Sequence, residues 1–454
     1  MNNRKAQNIL LLTASYVFYG LWDWRFLSLI FLSSIIDYYA AIGIEASKKK
    51  LTRRLFLFGS IFWNLGVLFA FKYFNFFLDS FTSLFFSHPP NEGYFFWNVM
   101  IPVGLSFYTF QTMSYSIDVY QKTIKANKNI IEFLCFVSFF PQLVAGPIER
   151  ARKLLPQFKN DRVFDLKKSK EGLRQILWGL FKKVVVADNV AVAVNIIYAE
   201  PEAHGSLILL YASVLFFFQI YCDFSGYSDI AIGTAKLFGF ELSKNFNIPY
   251  LSRSVSEFWH RWHITLTRWF TDYVYTPIAR MKKKNYAFKT FALFMSMTLI
   301  GLWHGANWTF IAFGAFQATT ISIERIPFKI NGKKATLISY LTKIPLPLTM
   351  MYSFGLITTS CIFFRAQTID DALIVIGRIW SFIPSENFDF LIGWKVLVIP
   401  ILVLAEVFTR FKPYPLIELE NHVSRPVRWA VYYALIFIIF MYAGPQEEFI
   451  YFQF

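Results

Sequence analysis

Residues 206–222 read SLILLYASVLFFFQIYC, an apolar run without a charged side chain, and residues 223–229 continue at once with DFSGYSD. A helix needs about 20 predominantly apolar residues to cross the hydrocarbon core of a bilayer, so the first stretch predicts a membrane span. The second stretch sets two carboxylates directly against that span, where a charge is costly unless it has a function or a partner. Together they predict helices with polar groups buried among them.

The composition of the whole chain agrees with this interpretation. Of 454 residues, 56% are hydrophobic and only 16% are charged, whereas a soluble protein carries about 25% charged residues. Aromatic residues make up 20% of the chain, and the mean hydropathy is +0.42. Soluble, disordered, coiled-coil and disulfide-rich classes are therefore excluded, and the sequence predicts an all-α polytopic membrane protein.

Apolar runs of similar length recur along the chain, and about eleven of them are predicted to be transmembrane helices. The remaining runs are expected to be re-entrant or interfacial, and Trp22-Asp23-Trp24-Arg25 interrupts the first. The candidate segments are 7–21, 26–45, 55–74, 96–118, 130–148, 172–198, 206–222, 286–303, 307–323, 348–364, 390–408 and 427–444.

The net charge of +16 comes from cations in short runs between the apolar segments, as at 48–54, 150–170 and 280–284. Such runs are typical of cytosolic loops and of contact with anionic lipid headgroups. No nucleic-acid recognition module is present, so we expect no nucleic-acid partner. The three cysteines are widely spaced and match neither a disulfide framework nor a metal site.

The segment 223–284 mixes aromatic residues with charged and amide side chains, so it cannot face lipid. We expect it to be buried inside the helix bundle, lining a water-filled cavity. The alternative is an amphipathic helix on the membrane surface. Asp223 and Asp229 are expected either to form an ion or proton relay or to accept hydrogen bonds from Arg253 or Arg261.

Two histidines, His260 and His263, stand in this part of the chain. Ser256 is predicted to cap a helix on which His260, His263 and Thr267 share one face, with Glu257 paired to Arg261. The other histidines, His88, His204 and His422, are expected in loops. No His-Glu-x-x-His pattern exists, so a zinc site is not expected.

His304 lies in GLWHGANW at 301–308, between two apolar runs. An ionisable residue at membrane depth is a functional candidate because its burial is expensive. Gly301 and Gly305 allow a backbone or a ligand to approach closely, and Asn307 is placed to orient the imidazole. Histidine is then the strongest base available for abstracting a proton from a hydroxyl group.

These motifs resemble those of the membrane-bound O-acyltransferase family, in the bacterial branch that includes the membrane subunit of alginate O-acetyltransferase. Six stretches, spread over nearly the whole chain, carry the resemblance. They are FYTFQ at 107–111 with DVY at 118–120, FPQLxAGPI at 140–148, DFSGYSD at 223–229, FWxRWH at 258–263, WHG at 303–305 and FIYFQF at 449–454, where x marks a position that carries no resemblance.

The resemblance implies one domain over 1–454, with helices around a central funnel and a buried polar region at about 223–308. It implies His304 as the essential histidine and His263 as its companion. The expected donor is cytosolic acetyl-CoA, with no permanently bound cofactor. The residues expected to line the cavity and bind the donor are Asn307, Arg261, Trp303, Asp223, Ser225 and Tyr227.

In this interpretation, the protein lies in the bacterial cytoplasmic membrane and passes the acetyl group outward. The acceptor is expected to be an exopolysaccharide such as alginate, reached through an extracytoplasmic SGNH-type partner with a Ser-His-Asp site. Peptidoglycan O-acetylation and D-alanyl transfer are the alternatives within the family. Outside it, the alternatives are a transporter or channel that uses Asp223, Asp229 and His304, and a noncatalytic scaffold.

Overall fold

The computed structural model describes residues 3–85, 100–144, 146–282, 284–330, 333–384, 397–443 and 449–450. Almost all regular structure in these ranges is helical. The helices are α1 Arg4–Asp23, α2 Leu27–Ala46, α3 Lys50–Leu68, α4 Phe74–Phe85, α5 Leu105–Tyr120, α6 Ile130–Ser138, α7 Phe140–Leu143, α8 Ala151–Leu154, α9 Leu166–Leu180, α10 Asp188–Ala199, α11 Ser206–Leu237, α12 Val255–Arg261, α13 Ile264–Phe270, α14 Thr276–Met281, α15 Tyr286–His304, α16 Trp308–Arg325, α17 Leu337–Leu341, α18 Leu346–Arg365, α19 Ile369–Trp380, α20 Val398–Phe408, α21 Leu419–His422 and α22 Arg425–Met441.

Shorter elements join some of these helices. Strands β1 Phe328–Ile330 and β2 Lys333–Ala335 form an antiparallel hairpin. Wider π-helical turns lie at Phe69–Tyr73, Phe181–Ala187 and Thr271–Tyr275. Short 3₁₀ turns occupy Trp24–Phe26, Leu155–Lys159, Pro201–Ala203 and Pro249–Leu251.

Among the described residues, five helical runs are long and apolar enough to cross a membrane. They are Arg4–Ala46, Lys50–Phe85, Ser206–Leu237, Tyr286–His304 and Leu346–Arg365. The first run divides at Trp24–Phe26, where the Asp23 side chain accepts the Arg25 amide hydrogen, so the predicted interruption is confirmed. The two halves have 20 residues each, or about 30 Å at a rise of 1.5 Å per residue.

The predicted span at 130–148 is wrong. The chain leaves the helical conformation at Phe139, with φ of −54° and ψ of 103°, so that α6 and α7 are separate short helices. Pro141 lacks an amide hydrogen and cannot continue the ladder of α6. The Phe136 carbonyl accepts hydrogen bonds from Gln111 Nε2 at 2.7 Å and Gln142 Nε2 at 3.0 Å instead. The predicted span at 96–118 is a helix only from Leu105, and its residues 96–99 lie outside the described ranges.

The chain forms two compact units, residues 1–169 with 234–243 and residues 170–233 with 244–454. In the first unit, Asp37 on α2 is fully buried and accepts a hydrogen bond from Asn64 Nδ2 on α3 at 2.8 Å. The Ser60 hydroxyl donates to the same carboxylate, as does Ser116 of α5 at 3.4 Å. Buried polar groups need such partners, so this cluster joins α2, α3 and α5.

In the second unit, α9 packs against α11 through pairs of glycines. A Cβ atom on Gly226 would lie 2.8 Å from the Gly179 carbonyl oxygen, and one on Gly233 would lie 2.5 Å from that of Gly172. From the first contact to the second, the residue number rises on α11 and falls on α9, so the two helices are antiparallel. Small residues of this kind let helix backbones approach closely in a membrane.

We predict that Gly226→Ala destabilises the protein, although alanine is ordinarily favoured over glycine in a helix by about 1 kcal/mol. The added methyl group meets the backbone of the facing helix, and overpacking costs about 1–3 kcal/mol. The matched control is Gly355→Ala on α18, where an added Cβ has no atom within 4 Å among the described residues. Thermal unfolding in detergent measures the difference, and equal melting of both variants would contradict the close packing.

Candidate functional site

His263 lies at a break between α12 and α13, not inside one helix as the sequence predicted. Its φ of 38° places it in the left-handed region, which histidine adopts more readily than most side chains. Helix α12 is capped by Ser254, whose side chain accepts the Glu257 amide hydrogen, rather than by Ser256. The imidazole of His263 is completely buried, whereas His260 is exposed and binds the Ser256 carbonyl of its own helix at 2.7 Å.

Asn245 fixes the tautomer of His263. Its Oδ1 accepts the backbone amide hydrogen of Thr265 at 3.3 Å and the hydroxyl of Thr265 at 2.9 Å. A backbone N–H can only donate, so the atom facing it is the amide oxygen. The same oxygen lies 3.1 Å from Nδ1 of His263, which must therefore carry the proton and donate. The lone pair of the neutral ring then resides on Nε2.

Aromatic rings surround the His263 side chain. Phe224 on α11 meets it edge to face at 4.6 Å between ring centroids, and Phe246 lies nearly parallel to it at 6.4 Å. His263 stands outside the five long apolar helices, and burial lowers the pKa of its imidazole. The ring is therefore neutral, and its lone pair can accept a hydrogen bond.

Trp303 connects the two histidines. His304 is the last residue of α15 and is only 1% exposed. The ring centroids of His263 and His304 lie 5.6 and 5.0 Å from that of Trp303. Phe364 of α18 lies 5.0 Å from the His304 ring on another side. The structure therefore places Trp303, His304 and His263 side by side, with all three side chains buried.

The glycines around His304 permit a close helix contact. A Cβ on Gly301 would lie 2.1 Å from the Phe310 carbonyl oxygen of α16, and one on Gly305 would lie 2.1 Å from the Phe310 ring. The sequence predicted that a backbone or a ligand approaches these glycines, and the group that does so is helix α16. Asn307 begins this helix: its Oδ1 accepts the Thr309 amide hydrogen at 3.0 Å, and its Nδ2 donates to the Gln367 carbonyl at 2.9 Å. These bonds give it a capping role.

The carboxylates of the DFSGYSD stretch bind lysines. Lys183 Nζ lies 2.7 Å from Asp223 and 2.8 Å from Asp188, and Lys182 Nζ lies 2.5 Å from Asp229. Both lysines lie in the π-helical turn between α9 and α10, and each reaches an aspartate of α11. The partners predicted from the sequence were arginines, but Arg261 binds Glu257 at 2.8 Å instead.

The remaining expected residues of this stretch are placed on α11. Ser225 is buried, and the Tyr227 ring lies 4.5 Å from that of Phe449 and 5.5 Å from Lys183 Nζ. The neighbouring Ile450 donates its amide hydrogen to Asp223 at 2.8 Å. The first residues of the FIYFQF stretch therefore contact the carboxylate cluster, and residues 451–454 lie outside the described ranges.

Several buried polar residues were not found from the sequence. Lys182, Lys183 and Asp188 lay inside a predicted span, where their cost at membrane depth was the available signal. Asn245 gave no signal in the sequence, because its role depends on a contact with His263, 18 positions away in the chain. Glu406 of α20 is 5% exposed and accepts the Tyr221 and Tyr250 hydroxyl hydrogens, each at 2.8 Å.

The other histidines are remote from this arrangement or lie outside the described residues. His204 contributes its carbonyl to Arg378, His422 is an exposed residue 3.7 Å from Glu418, and His88 is in the range that is not described. Within the described ranges, no group of three or more His, Cys, Asp and Glu side chains is arranged to hold a metal ion.

A transmembrane helix that ends in a buried Trp-His pair, beside a second buried histidine, agrees with the comparison against protein families. Residues 11–366 match the membrane-bound O-acyltransferase family. The chain belongs to this family. It is accordingly an O-acyltransferase and a multi-pass membrane protein.

Individual relatives of this acyltransferase agree with the assignment. The probable alginate O-acetylase AlgI of Azotobacter vinelandii is 38% identical over 383 residues, 83% of this chain and 73% of that protein. AlgI of Pseudomonas putida is 34% identical over 481 residues, 100% of this chain and 96% of that protein. The peptidoglycan O-acetyltransferase of Helicobacter pylori is 31% identical over 396 residues, 81% and 72% of the two chains.

We predict that Asn245→Leu lowers the acyltransferase rate about 10- to 100-fold, the range expected when a buried hydrogen bond of 1–3 kcal/mol is lost. Leucine has a similar volume but cannot accept from Nδ1, so the tautomer of His263 is released. The rate of acyl transfer is measured, and ¹⁵N-histidine spectra report the tautomer.

The matched control for this variant is Asn247→Leu. The Asn247 side chain binds only Lys244 among the described partners, so this variant keeps the wild-type rate. A folded Asn245→Leu protein with an unchanged rate would show that the tautomer of His263 does not affect transfer.

Proposed function

We propose that the protein takes the acetyl group of cytosolic acetyl-CoA and passes it across the bacterial cytoplasmic membrane for O-acetylation of an exopolysaccharide such as alginate. An extracytoplasmic SGNH-type partner with a Ser-His-Asp site completes the transfer. The observation that carries the proposal is the pair of buried histidines joined by Trp303 at the end of α15. The two AlgI relatives, one of them matched over the whole chain, favour this acceptor.

His304 is the proposed general base. It takes the proton of the acceptor hydroxyl as that oxygen attacks the thioester carbonyl. The C–S bond then breaks, and the proton passes to the departing CoA sulfur. Proton transfer by a positioned histidine contributes about 10²- to 10⁴-fold to such a reaction. The thioester is already activated, so the step requires no bound cofactor.

His263 is proposed to position the acceptor hydroxyl. The alternative role, polarising the thioester carbonyl, requires a hydrogen-bond donor. The bond from Nδ1 to Asn245 leaves a lone pair, not a proton, on Nε2 of the neutral ring. A ring of this tautomer accepts from a hydroxyl, which favours orientation of the nucleophile.

The approach of acetyl-CoA is proposed from the charge distribution. The cationic runs at 48–54, 150–170 and 280–284 carry the charge expected on the cytosolic side. Arginine and lysine also bind phosphate oxygens strongly, as CoA would require. About eleven spans around a central funnel remain part of this proposal, since the funnel would let donor and acceptor meet without opening the membrane.

Peptidoglycan is the alternative polymer, supported by the relative of 31% identity. The proposed alginate-type acceptor has the higher identities and the complete coverage in its favour. An ion relay through Asp223 and Asp229 is not favoured, because each carboxylate forms an ion pair with a buried lysine.

We predict that His304→Ala lowers the rate of acetyl-CoA-dependent CoA release about 10²- to 10⁴-fold. The measurement uses the purified full chain in nanodiscs with its partner and a thiol reagent. His304→Gln keeps a polar side chain of similar size and is expected to lose activity equally. His260→Ala is the control because His260 is exposed and bonds only within its own helix among the described contacts.

The two other outcomes would change the assignment. Wild-type CoA release in a folded His304→Ala protein would remove His304 from the chemistry and make His263 the candidate base. No CoA release from any form of the protein would overturn acetyl-CoA as the acyl donor of this acyltransferase.

A further inference from the structure

Helix α12, which leads to His263, is attached to α16 by two buried side chains. The first is Glu324, whose side chain is completely buried. Its Oε1 accepts the Val255 amide hydrogen at 2.7 Å, and its Oε2 accepts that of Ser256 at 2.9 Å. Amides in the first turn of a helix have no partner within the helix. Both oxygens of Glu324 therefore satisfy donors that α12 cannot satisfy itself.

The second attachment is Gln317, two turns before Glu324 on the same helix. It is 1% exposed, and its Oε1 accepts the indole hydrogen of Trp259, in the middle of α12, at 3.0 Å. Its Nε2 donates to the Ser360 hydroxyl of α18 at 2.7 Å. An indole N–H can only donate, so the orientation of the Gln317 amide is fixed. The two attachments lie about 10 Å apart along α16, which prevents α12 from pivoting about a single point.

Helix α16 is also fixed to the helix that carries His304. Its backbone lies directly against α15, because a Cβ atom on Gly314 would lie 2.4 Å from the Met297 carbonyl oxygen. The Phe313 ring of α16 lies 6.0 Å from the His304 ring and 6.3 Å from that of Trp259. Close-packed interiors transmit a displacement instead of absorbing it. Helix α16 is therefore the common support of α12 and of the end of α15.

The position of His263 follows from that of α12. This helix ends at Arg261, two residues before His263, so a movement of α12 carries the imidazole with it. Asn245 determines which ring nitrogen holds the proton. The attachments of α12 determine where the ring lies relative to His304.

From these features we infer that Gln317 and Glu324 are positioning residues for acyl transfer. They hold His263 at the separation from His304 that the reaction requires. Their described hydrogen bonds go to α12 and α18, not to an imidazole. The inference rests on the proposed function, because it requires both histidines in one reaction.

The test compares kcat and KM for acetyl-CoA in the full chain, in nanodiscs with its partner. Gln317→Met keeps the length of the side chain but removes both hydrogen bonds. Glu324→Gln keeps the shape but turns an NH₂ group toward an amide hydrogen of α12. Each variant is expected to lower kcat about 10- to 100-fold and to leave KM unchanged, because a misplacement of about 1 Å costs about 10²-fold in rate.

The matched control is Thr319→Val on the exposed side of α16. The Thr319 hydroxyl donates to the Ala315 carbonyl of its own helix at 2.8 Å, so this variant keeps the wild-type kcat. A higher KM with unchanged kcat in Gln317→Met or Glu324→Gln would assign these residues to donor binding and overturn the inference.

A double variant separates positioning from stability. Trp259→Phe combined with Gln317→Met removes the donor and the acceptor together, which is nearly neutral for folding. The melting temperature is expected to return toward that of the wild type while kcat stays low. Recovery of kcat together with the melting temperature would make Gln317 a structural residue and overturn the inference.

Hydrogen exchange of the amides at the start of α12 tests the attachment without activity. Exchange at Val255 and Ser256 is expected to be faster in Glu324→Gln and unchanged in Thr319→Val. Unchanged exchange in Glu324→Gln would overturn the attachment.

The variant His304→Ala distinguishes failure of this inference from failure of the proposed function. Wild-type CoA release in a folded His304→Ala protein would overturn both. An inactive His304→Ala protein, with wild-type kcat in Gln317→Met and Glu324→Gln, would overturn the positioning role alone.

Discussion

Two lysines buried in the second unit must be neutralised, and this requirement determines how the surrounding helices pack. An isolated charge taken out of water costs several kcal/mol, so Lys182 and Lys183 need carboxylates within reach. Asp229 and Asp223 supply them from α11, at 2.5 and 2.7 Å. The glycine contacts between α9 and α11 bring the backbones close enough for both pairs to form. A shift of one residue along α11 would break both pairs.

The same register of α11 also positions an aromatic contact to His263. Phe224 follows Asp223 in the chain and packs edge to face against His263, so the ion pair and the aromatic contact are set by the same helix position. Ile450 binds the Asp223 carboxylate on the other side, and the adjacent Phe449 ring lies 5.6 Å from Phe224. The Asp223 carboxylate thus binds a lysine and a backbone amide, and the nearby imidazole of His263 remains neutral.

The sequence predicted the features that depend on local pattern. Apolar runs gave helices such as α15 and α18, and spacing gave the Glu257–Arg261 ion pair. The prediction of one continuous helix over 256–267 was wrong. No glycine or proline marks the break at His263, so the local sequence gave no signal for it. This break is held by Asn245, which binds Thr265 and the imidazole from a separate loop. Likewise, the lysine partners of the aspartates come from a distant helix, which periodicity within one segment does not show.

The surroundings of the two histidines bear on how a proton can move at this site. His304 is enclosed by Trp303, Phe313 and Phe364, and such rings cannot replace the hydration of an imidazolium. In the proposed reaction, a proton taken from the acceptor hydroxyl is therefore costly to retain, and it passes onward to the CoA sulfur as the C–S bond breaks. Apolar enclosure thus favours histidine as a proton carrier within one transfer step. It also requires that the attacking hydroxyl be oriented beforehand, which is the role that the lone pair of His263 permits.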